Sequence, residues 1–295
     1  MIEVVKRSKL SIKSVREGYL LVLPLMTGFI VFYAIPFLIV LYNSVTKGMG
    51  NTRHFVGAQN YSSLLENAIF RLAFGNTIRF LLIALPLILV LSYAIALLIK
   101  NQAKKHKQLK SVLLLPYIMP VAGTVLLIEL LFAESGVINT TLYIMGLPVA
   151  DWLHSKVAFG VVVLLYIWKN AGYTVILLLS GLVTISEEQY AAASIDGATA
   201  MQMFVYITTP QMWYSVFFAV IFSLINAFKC FREIFLIGGT HPDSSIYMLQ
   251  HFINNAFEKL SYTKLAVASV LLFAMITIIF AVFYYWVMRK EAYKE

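Results

Sequence analysis

Six long apolar runs set the limits within which this chain can fold. They lie at about 19–42, 77–99, 111–133, 157–183, 213–237 and 265–288. Each is close to the roughly 20 residues that a helix needs to cross the hydrocarbon of a bilayer, where main-chain N–H and C=O groups meet no water and must be satisfied within the segment. The expected fold class is therefore all-α, with six transmembrane helices. Composition agrees, since 60% of the 295 residues are hydrophobic and only 13% are charged, outside the range of soluble globular chains. Pro24, Pro36, Pro86, Pro116 and Pro120 fall in or beside the runs, where each removes a main-chain donor and predicts a kink.

The basic residues orient the bundle. Lys6, Arg7, Lys9, Lys13 and Arg16 precede the first run, Lys100, Lys104, Lys105, Lys107 and Lys110 separate the second from the third, and Arg289, Lys290 and Lys294 follow the sixth. The alternate segments hold Lys47, Arg53, Arg71, Lys156, Lys259 and Lys264. Lys and Arg concentrate on the cytoplasmic side of membrane proteins, so both termini are expected inside. This gives a cytoplasmic basic N-terminus at 1–18 and a single six-helix domain at 19–290. The first run is longer than the apolar core of a cleavable signal peptide and lacks a small-residue cleavage site, which reads as a retained span. The net charge of +9 is then explained by topology, with no nucleic-acid partner.

A polar interruption at 186–210 carries the most specific signal. Ser186 with Gln189 has the spacing of a capping box, and Glu187 and Glu188 place negative charge at a helix start. Gly197 suits the left-handed residue that ends a helix, Thr199 with Gln202 repeats the capping spacing, and Pro210 is expected to close a second short helix. Ala191, Ala192, Ala193, Ser194 and Ala198 leave a nearly bare cylinder that a groove on another protein can hold, with Tyr190 as its one large anchor. Met201, Phe204, Val205 and Thr208 share a face suited to lying back on the chain's own spans. The simpler reading is an interfacial loop helix that serves only its own bundle.

The run Tyr190-Ala191-Ala192-Ala193-Ser194-Ile195-Asp196-Gly197-Ala198, with Phe204, Ile207 and Pro210 after it, resembles the cytoplasmic "EAA" loop of permease subunits of ATP-binding-cassette importers. Further matches to the carbohydrate-type permeases run in order along the chain: Phe55-Val56-Gly57 with Asn60-Tyr61, Asn76-Thr77, Leu115-Pro116-Tyr117 with Pro120, Trp168 with Gly172, and Gly238-Gly239. Two positions depart from the pattern. The family's acid at the head of the loop motif is Ala191 here, although Glu187 and Glu188 lie close by, and Thr209 stands where a Leu usually precedes the proline.

The resemblance implies the transmembrane domain of a type I importer in a bacterial cell membrane, a multi-pass protein with no catalytic residue and no cofactor or metal of its own. It implies that the loop is a coupling helix held in a cleft of an ATPase subunit, ATP being bound by that subunit. The implied partners are a second homologous permease, two ATPase subunits and an extracytoplasmic sugar-binding protein. A helix at 60–72 and another at 244–257, within the segment 238–264, are expected on the outer face, where a soluble receptor can dock.

Ionisable side chains are costly in hydrocarbon and usually face a bundle interior or a water-filled path. Lys169, Asn170 and Tyr173 in the fourth run and Asn226, Lys229, Arg232 and Glu233 in the fifth are the candidate path residues, with Glu129 in the third. Asn226, Lys229 and Glu233 share a helix face by spacing, and Tyr173, Phe228 or Phe231 offer flat surfaces to sugar rings. The competing reading pairs Lys229 with Glu233 at i, i+4 as a purely structural lock. The excess of cations also admits an acidic sugar as cargo.

Other function classes fit less well. The single cysteine, Cys230, excludes an intramolecular disulfide framework, and the five scattered histidines form no ligand pair and lie outside the apolar runs. This leaves an intramembrane enzyme without its chemistry. No GxxxxGK[ST] loop is present, so ATP hydrolysis is expected on a separate chain. A secondary transporter driven by an ion gradient lacks the repeated halves and paired acids that the class uses. An importer of the same build for another small solute stays open, because the coupling loop does not depend on cargo.

Overall fold

The computed structural model describes residues 12–48, 52–105 and 107–292. Residues 1–11, which hold Lys6, Arg7 and Lys9 of the basic N-terminus, lie outside the described residues, as does Lys294. In chain order, α1 (Ile12–Phe29) passes through a π turn (Ile30–Ala34) into α2 (Ile35–Val45), and a short hairpin pairs β1 (Thr46–Lys47) with β2 (His54–Phe55). There follow α3 (Gln59–Glu66), α4 (Ala68–Lys105), α5 (Lys107–Ile118), α6 (Val121–Phe132), α7 (Val137–Ile144) and α8 (Ala158–Thr184). The inner loop holds α9 (Glu187–Ile195), α10 (Ala200–Met203), a second π turn (Phe204–Thr208) and α11 (Thr209–Gln211). The chain ends with α12 (Trp213–Lys229), α13 (Phe231–Gly238), α14 (Leu249–Glu258) and α15 (Tyr262–Ala292). Among the described residues, six segments are long and apolar enough to span a membrane: Gly18–Val45, Ala68–Lys100, Val121–Ile144, Ala158–Thr184, Trp213–Gly238 and Tyr262–Trp286.

The prolines act in three different ways. Pro24, Pro86 and Pro116 sit inside continuous helices. Pro36 and Pro210 each stand second in a helix that follows a π turn. A proline ring collides with the carbonyl four residues back, and widening the preceding turn removes that collision without ending the helix. Pro120 breaks its helix outright: its extended backbone separates α5 from α6. The third run expected at 111–133 is therefore divided, and the membrane-length segment begins at Val121. The helix expected at 60–72 is also two pieces. Asn67 leaves the helical region and its Oδ1 accepts from Phe70 N at 3.0 Å, which starts α4 afresh.

The core is built around α8, which packs on α4, α5 and α12. Phe80, Ala84 and Ile88 of α4 meet Val162 and Tyr166 of α8 and Leu224 and Ala227 of α12. Further toward the loop, Ala96 meets Val175, Leu178, Leu182, Met212 and Ala219. Small residues permit these close approaches, since lipid tails are as apolar as leucine and the gain comes from fit. At Gly172 the fit is absolute: a Cβ there would overlap the main-chain carbonyl of Leu113.

The end of the bundle opposite the loop is closed by hydrogen bonds between side chains and main chain. Asn76 Nδ2 donates to the carbonyls of Ser244 (2.6 Å) and Tyr247 (3.0 Å), and Leu249 N donates to Thr77 Oγ1 at 2.9 Å. Asn60 Nδ2 donates to Ser44 O (3.0 Å) and Thr46 O (2.9 Å). His251 is fully buried and accepts from Met248 N at 3.2 Å through Nδ1; burial alone pushes its pKa down to about 4, so it stays neutral. The helix expected at 244–257 starts only at Leu249, and the carbonyls of Ser244 and Tyr247 before it are taken by Asn76 of α4.

Candidate functional site: an exposed loop and a polar cavity

Local chemistry builds the loop. Ser186 Oγ accepts from Glu188 N at 3.2 Å and starts α9, with Glu187 and Glu188 in its first turn. Gln189 does not complete a capping box; its Oε1 instead accepts from Gln211 Nε2 at 2.6 Å and ties the two ends of the loop together. Gly197 has φ +79°, and the amide of Ala198 reaches back to Ala193 O at 2.9 Å, closing α9 beside Asp196 with the 6→1 bond of a left-handed cap. The second box is complete: Thr199 Oγ1 accepts from Gln202 N, and Gln202 Oε1 accepts from Thr199 N at 2.7 Å.

Pro210 does not end this second helix, because the π turn absorbs it. Thr209 Oγ1 donates to Phe204 O at 2.9 Å, the same carbonyl that accepts from Thr209 N across the π turn. That bond requires a hydroxyl at the position where the resembled pattern has Leu.

The loop's two faces differ from the sequence expectation. Tyr190 turns inward: its hydroxyl pairs with Thr208 Oγ1 at 2.8 Å, and Lys100 Nζ lies 4.4 Å from its ring centre. On α9 the large outward side chain is Ile195, 87% exposed, flanked by exposed Ala191, Ala192, Ser194 and Asp196. Met201 and Val205 are exposed, so the home face is Phe204, Ile207 and Thr208. A straight 3.6-residue period misplaces this face, because the π turn shifts it. Ile195 was legible as an apolar residue on an otherwise bare helix, a signal the alanine run concealed.

The second feature is a cavity of about 230 Å³ between α8 and the α12–α13 junction. Lys169, Asn170, Asn226, Lys229, Arg232 and Glu233 line it together, as does Tyr117 from α5. Tyr173 is not in this lining; it stacks on Tyr117 at 4.7 Å and continues the same wall. Glu129 stands exposed on α6 and takes no part, and Phe231 packs on His251 at 4.8 Å, away from the cavity. Phe228 packs on the core around α8.

Glu233 pairs with Lys169 across the helices, at 2.5 Å, rather than with Lys229. Glu233 is buried toward α8, where Lys169 meets it, whereas the Lys229 side chain stands exposed. Both partners of the Lys169–Glu233 pair are largely buried, while Lys229 and Arg232 stand exposed at the rim. Glu233 Oε2 has no hydrogen-bond partner among the described residues. Beneath the pair, Asn170 Nδ2 donates to Tyr166 O at 2.8 Å and Tyr166 Oη to Ser223 O at 2.7 Å, which locks α8 to α12. The arrangement offers charged and amide groups to a polar solute.

Residues 106–291 match the family described as "Binding-protein-dependent transport system inner membrane component". The trehalose/maltose transport system permease protein MalF of Thermococcus litoralis is 30% identical over 275 residues, 91% of this chain and 92% of that protein. The lactose transport system permease protein LacF of Rhizobium radiobacter is 27% identical, over 89% and 91% of the two chains. A chain in the crystal structure of a bacterial alginate ABC transporter, in complex with an alginate pentasaccharide-bound periplasmic protein, superposes with a TM-score of 0.80 at 20% identity, covering 94% of this chain and 96% of that one.

Proposed function

This chain belongs to the family of binding-protein-dependent transport system inner membrane components, and from that premise we propose that it forms half of the translocation pathway for a sugar or oligosaccharide. In this reading a second, homologous permease supplies the other half, two ATPase subunits bind and hydrolyse ATP, and an extracytoplasmic binding protein delivers the cargo. Both termini and the 186–210 loop lie in the cytoplasm, as the Lys and Arg distribution supports.

The observation that carries this reading is the loop. Glu187, Glu188, Ala191, Ala192, Ser194 and Asp196 stand on an exposed helix, while Gly197, Ala198 and Thr199 hold a fixed bend and Tyr190 and the turn before Pro210 anchor it to the spans. A rigid handle on α8 and α12 moves the same two helices that wall the cavity. ATP-driven closure of the ATPases would thus shift the cavity between its two open states, which is a population shift set by differential binding.

The charged rim supports a path-facing side. Lys229 and Arg232 are exposed at membrane depth, where a cation against lipid costs several kcal/mol by any estimate, about 2.5–3.5 at the least. That face therefore looks onto water and cargo, with Lys169, Asn170, Asn226 and Glu233 behind it and Tyr173 beside it.

A cysteine at Ser194 tests the reading. It is expected to escape a membrane-impermeant thiol reagent in intact cells, to react in inside-out vesicles, and to be protected when the ATPase is bound. Labelling from outside would refute the topology. Gly197→Pro is expected to abolish ATP-dependent uptake; uptake that persists without ATP would favour an ion-gradient transporter.

A further inference from the structure

The end of the bundle opposite the loop carries three neighbouring clefts, of about 310, 480 and 220 Å³, and Lys264 lines all three. Lys259 joins it in the first, Arg53 in the second and Lys47 in the third. No Asp or Glu is among the residues lining any of them. All four cations are exposed.

Their positions come from separate elements brought to one place. Lys47 is on the hairpin strand β1, Arg53 just precedes β2, Lys259 caps the C-terminus of α14 and Lys264 is in the first turn of α15. Glu66, Asp243 and Glu258 flank the clefts without lining them, and two of the three are held in local hydrogen bonds. Asp243 Oδ1 accepts from Ser245 N at 2.8 Å and Glu258 Oε1 from Asn254 Nδ2 at 2.8 Å. Lys264 sits at the positive end of a long helix, where a cation is repelled and an incoming anion is attracted. The hydrogen bonds of Asn60, Asn76 and Thr77 hold this end rigid, so the cationic surface is preformed.

We infer that these clefts form an electrostatic landing surface for an acidic segment of the binding protein, whose carboxylates seat around Lys264 between Lys47, Arg53 and Lys259. The inference rests on the importer reading, which puts this end outside the cell. It adds the sign of the charge that the partner must carry. Charge complementarity of this kind speeds encounter and sets partner choice, and it weakens as salt rises.

The experiment uses the full importer in lipid nanodiscs, with the affinity of its cargo-loaded binding protein measured at low and at high salt. For the unaltered importer, binding is expected to weaken as salt rises. Lys264→Glu is expected to weaken binding about tenfold or more at low salt, with the gap closing at high salt. Lys264→Gln is expected to give a smaller loss of the same sign, and melting of each variant reports whether it is folded. Reversal of an acidic residue on the binding protein to Lys is expected to restore binding to the Glu variant. Salt-independent binding that Lys264→Glu does not alter would overturn the inference and leave the importer reading standing. An effect confined to nanodiscs with anionic lipid would also overturn it, assigning the cations to headgroups. Failure of every binding protein to bind the unaltered importer would overturn both.

Discussion

The fourth span and the first are both continuous apolar helices of similar length, yet they stand in opposite relations to the rest of the chain. Of Ala158–Thr184, 56% of the most apolar stretch is buried inside the bundle; of Gly18–Val45, none is. The fourth span earns its place through polar exceptions: Gly172, Tyr166, Asn170, Thr174 and Lys169 each make a specific contact that a leucine could not. The first span has few such exceptions, and Leu21, Leu25 and Tyr33 point out of the bundle. In a bilayer, hydrophobicity decides that a helix is inserted; small and polar residues decide what it touches.

Glycine gives the sharpest break. Gly172→Val forces two backbones apart and is expected to leave no monodisperse protein after solubilisation, whereas Gly28→Val, with nothing within 4 Å of its Cβ, is expected to purify and melt as the unaltered chain does. Equal behaviour of the two would mean that α5 and α8 do not approach as closely as described.

The buried ion pair comes next. Lys169→Ala strands the Glu233 carboxylate in the bundle and is expected to cost about 3 kcal/mol or more in thermal stability. Replacing both partners, as in Lys169→Met with Glu233→Leu, is expected to recover most of it, because the loss comes from the uncompensated charge. If the double variant were as unstable as the single one, the pair would be held by contacts other than charge.

A smaller effect separates the two spans by a single oxygen. Tyr166→Phe removes the hydroxyl that donates to Ser223 O at 2.7 Å in the core and is expected to cost about 1 kcal/mol. Tyr33→Phe in the first span removes a hydroxyl from a residue that is 69% exposed and is expected to change nothing measurable by melting.

The sequence was readable where one residue type has one physical use. Apolar length marked the spans, Gly197 marked the left-handed bend, and Thr199 with Gln202 marked a helix start. It was less readable where the outcome depends on a partner distant in sequence. Tyr190 looked like an anchor for another protein until Thr208 and Lys100 were seen to hold it inward. Glu233 has Lys229 within reach by sequence spacing, yet it pairs with Lys169, 64 residues away, a partner that no local rule names. Prolines predicted kinks without specifying their form, because a π turn, a break and a continuous helix differ in what satisfies the freed carbonyl.

The smallest expected effect lies in the first span itself. Leu21→Ala together with Leu25→Ala removes side chains that are 82% and 72% exposed, so the isolated chain in detergent is expected to melt within about 0.5 kcal/mol of the unaltered one. The lower half of the same span already has a neighbour, since α2 packs on α15 with Phe37 and Phe273 4.9 Å apart. Among the described residues, the upper half, α1, packs extensively only on the π turn that continues it. Lipid tails adapt to a missing methyl group, whereas a shaped protein surface does not, so truncation discriminates between the two neighbours. Co-expression with the proposed second permease is expected to yield less of the proposed heterodimer for the double variant, with its melting unchanged when purified alone. Undiminished heterodimer would assign this face to lipid, and the contrast between the two spans would then be one of core against solvent, with no subunit contact on the first.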